Sequence, residues 1–146
     1  MDFKIINKNF KVVSLKSRGD FGNFDKEVPA LAKQLLSRSD EIESHTGVEI
    51  ALFEPKRNQA HKIGEYLVGL IVNERLQDVP AGMHFIEVDE RFMTARGKIS
   101  SIGALHANLI NWGEEQGYKR NLESYIIETY HPVEDGEEVQ IYLPIF

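Results

Sequence analysis

The residues of this chain best placed to do chemistry lie in one run, Tyr125-Ile126-Ile127-Glu128-Thr129-Tyr130-His131-Pro132. β-Branched and aromatic side chains from Tyr125 to Tyr130 predict a β-strand, with Pro132 ending it. Strand side chains alternate, so Ile126, Glu128 and Tyr130 share one face, and Tyr125, Ile127 and Thr129 the other. Both faces are largely apolar, and Glu128 is the residue that hydrophobic patterning does not ask for. Two readings follow: a rim carboxylate pointing into water, or an anionic group at the bottom of an aromatic-lined pocket. In the second, a carboxylate without a partner in low dielectric attracts a cationic or hydrogen-bond-donating ligand.

Composition narrows the classes of function. A chain of 146 residues suffices for one ordinary core or two small halves packed together. Apolar content of 42% and charged content of 27% are those of a soluble globular protein. No apolar run approaches the ~20 residues of a membrane span, and Met1-Asp2-Phe3-Lys4 lacks the features of a signal peptide. The absence of cysteine removes disulfides and thiolate chemistry and makes a cytoplasmic location the default expectation. A net charge of −6 argues against direct nucleic-acid binding. The short basic clusters Lys56-Arg57 and Lys119-Arg120 read as solvated loops.

The elements that must position Glu128 can be taken in order. Phe10 to Lys16 predicts a strand stopping at Arg18-Gly19-Asp20. A helix follows from about Asp25 to Ser37, because Val28, Leu31, Ala32 and Leu35 fall on one helical stripe. Pro29 sits early in it, where a free amide is least needed. Ser39 to Gly47 reads as a polar linker, Val48 to Phe53 as a second strand, Lys56 to Lys62 as a loop and Glu65 to Val72 as a third strand. The order then recurs. Pro80-Ala81-Gly82 forms a turn, Phe85 to Val88 is extended, and a strand at Arg91 to Arg96 stops at Gly97. A helix from about Ser100 to Gln116 carries Ile102, Leu105, Leu109 and Trp112 on one stripe, with Ser100 or Ser101 capping it and Gly117 ending it. The Glu128 strand, an acidic turn at Glu134 to Gly136 and a strand from Val139 to Leu143 complete the chain.

Two halves thus share one order, with repeat 1 at about 1–78 and repeat 2 at about 79–146 of a single domain spanning 1–146. Gly19 and Gly97 lie 78 apart, and Ile50 to Pro55 superimposes on Ile127 to Pro132 at a spacing of 77. Two copies are too few for a solenoid, so this reads as an internal duplication. Duplicated β-α-β-β units would meet about a pseudo-two-fold axis, their antiparallel sheets curving around a central ligand cleft. At the shared register Glu128 stands against Ala51. One copy carries a carboxylate and the other a methyl group, which favours a property of a site over a requirement of the scaffold.

Gly97 after a strand, a helix carrying Trp112, the Ile127-Glu128-Thr129-Tyr130-His131-Pro132 stretch and the closing Ile141-Tyr142-Leu143-Pro144-Ile145 together resemble the GyrI-like effector-binding domain. That domain also forms the C-terminal part of AraC- and MerR-type multidrug-responsive transcription regulators. The resemblance implies an α+β fold of two strand-helix-strand-strand repeats around a ligand cleft. It also implies that Glu128 matches the family's buried glutamate, which pairs with cationic aromatic ligands in drug-responsive members. No helix-turn-helix segment is present, so a free-standing member is expected, and direct promoter binding is not implied.

The expected ligand site is Glu128 with Tyr130 on the same face and Phe53, the counterpart of Tyr130 in the first half. Trp112, Tyr66, Tyr142 and Phe21 are further candidates for its walls, each of which also reads as simple core packing. A flat cation held there gains roughly 0.5–2 kcal/mol from each aromatic face beside its pairing with the carboxylate. No residue is assigned a catalytic or metal-binding role, and no cofactor is expected. His45, His61, His84, His106 and His131 show no paired metal-ligand spacing, and His106 reads as a partly exposed helical residue. The acidic stretch Glu134-Asp135-Gly136-Glu137-Glu138 reads as a solvated hairpin turn. The leading functional expectation is capture of a small, hydrophobic, cationic molecule, with or without signalling through a partner protein. Hydrolysis of reactive electrophiles is the second, with Glu128 as general base and Tyr130 as hydrogen-bond donor, although no second titratable group stands at a helpful spacing. Modulation of a large protein such as gyrase is the third.

Overall fold

The computed structural model describes residues 2–146. Strand β1 (Lys4–Asp20) and helix α1 (Phe24–Leu36) are followed by strands β2 (His45–Phe53), β3 (Ile63–Val72) and β4 (His84–Lys98). Helix α2 (Ile102–Glu115) and strands β5 (Ile126–Val133) and β6 (Gly136–Pro144) complete the order. Strand, helix, strand, strand therefore occurs twice. All strand pairings are antiparallel.

The expected pair of curved sheets is one closed barrel, in the order β1-β3-β2-β5-β6-β4. Closure comes from two long strands. β1 pairs with β4 from Lys4↔Thr94 to Ser14↔His84 and with β3 from Val12↔Ile71 to Asp20↔Ile63. Both strands are longer than their apolar runs suggest. Residues 4–9 are polar or only half-buried, so pairing rather than patterning extends β1, and the segments expected separately at 85–88 and 91–96 are one continuous strand.

Period-two alternation divides the side chains between the barrel interior and the outer surface. Phe10, Val12, Ile50, Leu52, Leu67, Phe92, Ile127 and Tyr142 pack together inside. The barrel is therefore filled, and a ligand space must lie outside it. On the outer surface α1 buries Val28 and Leu35 against Val13, Ala51, Tyr66, Val68 and Leu70. Helix α2 buries Leu105 and Leu109 against Met93, Ala95, Val139 and Ile141. Burying each such leucine contributes about 1.5–3 kcal/mol. The approach of α2 is close, for a Cβ on Gly113 would collide with the Met93 thioether.

Local signals are partly met. Gly117 adopts φ 83° and the Tyr118 amide donates to the Gly113 carbonyl at 2.9 Å, a glycine-dependent helix stop. Neither expected serine cap forms at α2. Ile99–Ser101 make a short 3₁₀ turn, the Ile102 amide donates to the Ile99 carbonyl, and the Ser101 side chain makes no cap bond. Nor does Pro132 end its strand, since it pairs with Glu137 of β6. Pairing of β5 with β2 has already stopped at Tyr130↔Glu49, so Pro132 lies where β5 has only β6 as a neighbour, a position that tolerates proline. No helix among the described residues is long and apolar enough to cross a membrane.

Candidate functional site

Ala51 and Glu128 are direct partners in the antiparallel β2–β5 pair. Alternation sends Glu49, Ala51 and Phe53 of β2 outward, and Glu128 and Tyr130 of β5 with them. These five residues line one side of a cavity of about 710 Å³. Phe24, Val28, Pro29, Ala32 and Leu36 of α1 form an apolar wall, and Ile99 and Ile102 bring the start of α2 to the same space. Such a volume lies within the range of small-molecule sites. The cavity exists because both helices lie on the outer surface of the barrel and the β2–β5 pair runs between them.

Glu128 is 7% exposed and stands among these apolar groups. The Tyr130 hydroxyl donates to its Oε1 at 2.6 Å, and His106 Nε2 lies 2.7 Å from its Oε2. Burial, followed by the charge and hydrogen bond of Glu128, pushes the Tyr130 phenol far up, so it stays a donor at neutral pH. Each carboxylate oxygen retains a second lone pair. Glu128 is thus held by two donors and still able to accept a third group from the cavity.

Further charge lines the space. Asp25, Glu49 and Glu137 are also among its walls, with Lys33 as the single cationic side chain. Burial pushes the Glu49 carboxyl up, and the neighbouring Glu137 adds to this. The space thus combines an aliphatic and aromatic wall with an excess of carboxylates. Among the described residues no cluster of His, Cys, Asp and Glu is arranged to hold a metal ion.

The expected wall residues divide. Glu128, Tyr130 and Phe53 come together at the cavity. Trp112, Tyr66, Tyr142 and Phe21 do not line it. Trp112 packs between Phe3 and Tyr118 at centroid separations of 5.6 and 5.9 Å. Tyr142 turns into the barrel against Phe10 and Phe92 at 5.0 and 5.7 Å, because it lies opposite the inward-facing Ile127. Tyr66 and Phe21 stand behind Phe24, at 4.9 and 5.1 Å. The Tyr66 hydroxyl donates to Glu27 Oε1 at 2.9 Å.

Among the wall and partner residues not anticipated from the sequence are His106, Glu49, Glu137 and Phe24. His106 lies one helical turn beyond Ile102, and its side chain is 27% exposed. It supplies the second titratable group that spacing alone did not reveal. Glu49 was legible by alternation, two residues before Ala51 on the same face. Glu137 belongs to the acidic stretch read as a solvated turn, and only the hairpin geometry carries it to the cavity.

A family model described as the GyrI-like small molecule binding domain matches residues 1–145. No curated protein matches the chain. Among solved structures, SAV2435 bound to tetraphenylphosphonium is similar over 100% of this chain and 94% of its own, with TM-score 0.74 and 11% identity. The EcmrR C-terminal domain is similar over 100% and 99%, with TM-score 0.59 and 16% identity. A hydrolase from Listeria innocua is similar over 99% and 91%, with TM-score 0.56 and 12% identity. At these identities the structures establish a common fold.

Proposed function

The chain belongs to the GyrI-like small molecule binding domain family, and we propose that its cleft captures a hydrophobic, cationic small molecule without transforming it. The observation that carries this reading is Glu128, a buried carboxylate on the floor of a cavity whose walls include α1 apolar side chains and the rings of Phe24, Phe53 and Tyr130. A delocalised cation loses little hydration on entering such a space, meets the carboxylate there and stacks on Phe53, Phe24 or Tyr130. The likeness to SAV2435, whose structure holds tetraphenylphosphonium, supports this class of ligand. The likeness to the C-terminal domain of EcmrR, a protein also solved in complex with DNA, supports a signalling role, in which an occupied cleft is read by a partner.

The two halves read as copies of one unit. Their shared element order supports this, as does the pairing of Ala51 with Glu128, the residues that the 77-residue spacing superimposes. In this reading one copy keeps a methyl group over which ligand can lie, and the other supplies the charge.

A test uses tetraphenylphosphonium and the neutral triphenylphosphine oxide in thermal-shift and calorimetric titrations of the wild type and Glu128→Gln. Capture predicts binding of the cation in preference to the neutral compound, and a loss of roughly 10- to 100-fold in the variant, the scale of one charge-assisted contact. Equal affinity in wild type and variant refutes the role of Glu128.

Hydrolysis is the second reading, favoured by one observation. His106, Glu128 and Tyr130 form a continuous hydrogen-bonded chain with a base between two donors, an arrangement that suits a carboxylate activating water. Incubation with an epoxide or similar electrophile, followed by product analysis, separates the readings. Turnover abolished by Glu128→Gln would favour the enzyme.

A further inference from the structure

The capture reading leaves His106 unused. It is not a wall of the cavity, yet it holds the Oε2 of the carboxylate on which that reading depends. We propose that His106 determines how strongly the cleft prefers a cation over a neutral ligand, by acting as a resident, protonatable competitor for the charge of Glu128. The inference rests on the capture reading and deepens it.

Geometry makes the competition unavoidable. Glu128 offers one negative charge, and its Oε1 is engaged by a neutral donor, Tyr130. Neutral His106 donates one N–H to Oε2 and leaves the carboxylate charge for a cation in the cavity. Protonated His106 forms an ion pair at the same 2.7 Å and supplies the counter-charge itself. A ligand cation and an imidazolium flanking one carboxylate then repel each other by a factor of about ten or more in affinity. The side chain of His106 is 27% exposed and that of Glu128 is 9%.

Other charges do not replace this role. On α2 the positions one turn either side of His106 are Ile102, Gly103, Leu109 and Ile110, all uncharged. The β4 and β6 side chains packed under α2 include the apolar Met93, Ala95, Val139 and Ile141. Facing Glu128 from the remaining elements are Tyr130 of β5, Glu49 of β2, Glu137 of β6, and Asp25 and Lys33 of α1, all at the cavity. Glu49, pushed up by burial and by Glu137, also gains charge as pH rises, and the Glu49→Gln variant separates its contribution from that of His106.

The direction follows from linkage. Cation binding favours the neutral imidazole over the imidazolium, so affinity for a cation is expected to rise with pH and binding to release a proton. A neutral ligand has no such dependence. His106→Gln keeps an N–H donor toward Oε2 and removes the titration.

Calorimetric titration with tetraphenylphosphonium and triphenylphosphine oxide from about pH 5.5 to about pH 8 tests this across the imidazole range. The wild type is expected to gain about tenfold in affinity for the cation and less than about twofold for the neutral compound. Near the middle of that range its binding heat should depend on buffer ionisation enthalpy, reporting proton release. In His106→Gln both the pH slope and the proton release should vanish, while Glu49→Gln should keep them. A flat wild-type profile for the cation, or a slope retained in His106→Gln, overturns this inference and leaves the capture reading intact. Absence of cation binding by the wild type at every pH overturns both.

Discussion

Ala51 and Glu128 face one another across the β2–β5 pair, a methyl group beside a carboxylate, both almost fully buried and both on the cavity surface. The small side chain is what leaves room over the large charged one. Replacing it tests whether that room is the binding space. Ala51→Leu projects into an existing cavity rather than into packed core, so its effect on stability should be under about 1.5 kcal/mol. Binding of tetraphenylphosphonium should nevertheless weaken by about tenfold or more, as one misplaced side chain at a snug contact does. Thermal melts with and without ligand check both halves of this expectation.

Tyr130→Phe keeps the ring and removes the hydroxyl that donates to Glu128 Oε1 at 2.6 Å. A buried carboxylate that loses a donor costs about 1–3 kcal/mol. A bound cation partly restores what is lost, so the ligand-induced rise in melting temperature should be larger in the variant than in the wild type. Equal rises would mean that the hydroxyl and the ligand do not share the carboxylate.

Glu49 makes a prediction about pH. Its carboxyl is pushed up by burial and by Glu137, so the folded protein favours its neutral form. For a group raised in this way, the stabilising contribution is present below the ordinary carboxylate range and lost as pH rises through the folded value. Glu49→Gln should therefore stabilise the protein at neutral pH, with the gain shrinking toward about pH 4, the ordinary carboxylate range. Urea denaturation at the two pH values measures the difference.

Trp112 offers the opposite kind of test. It packs with Phe3 and Tyr118, away from the cavity walls, and it is the only tryptophan in the chain. Trp112→Phe should leave ligand affinity within about twofold, since contacts outside a binding pocket rarely carry its energy. Loss of the intrinsic fluorescence confirms the substitution, and a large loss of affinity would place the ring at the ligand after all.

Leu109 is 0% exposed at the centre of the α2 contact. Leu109→Ala should destabilise the fold by about 2–5 kcal/mol. Because α2 also carries His106, the same change should disturb the pH dependence of cation binding along with the melting temperature.

How much of this was visible in the chain depends on the range of the interaction involved. Alternation in Tyr125 to Tyr130 placed Glu128 and Tyr130 on one face, which is a local signal. Gly117 ended α2 for a local reason as well, its left-handed backbone. Contacts between distant elements were not legible. Nothing in the α2 stripe distinguishes His106 from any half-exposed helical histidine, and nothing in the acidic turn separates Glu137 from its solvated neighbours.

From its residues alone, then, the chain specified the order of its elements, the face on which its unusual carboxylate would lie and the class of fold. Those follow from backbone sterics and the period of apolar side chains, which act over a few residues. Closure of the six strands decided that Tyr142 fills the barrel while Glu128 stands outside it. The seating of the two helices decided that Phe24 walls the cavity and that His106 grips the carboxylate. Such outcomes depend on where separate elements dock, and docking depends on the packing of the whole chain rather than on any segment of it.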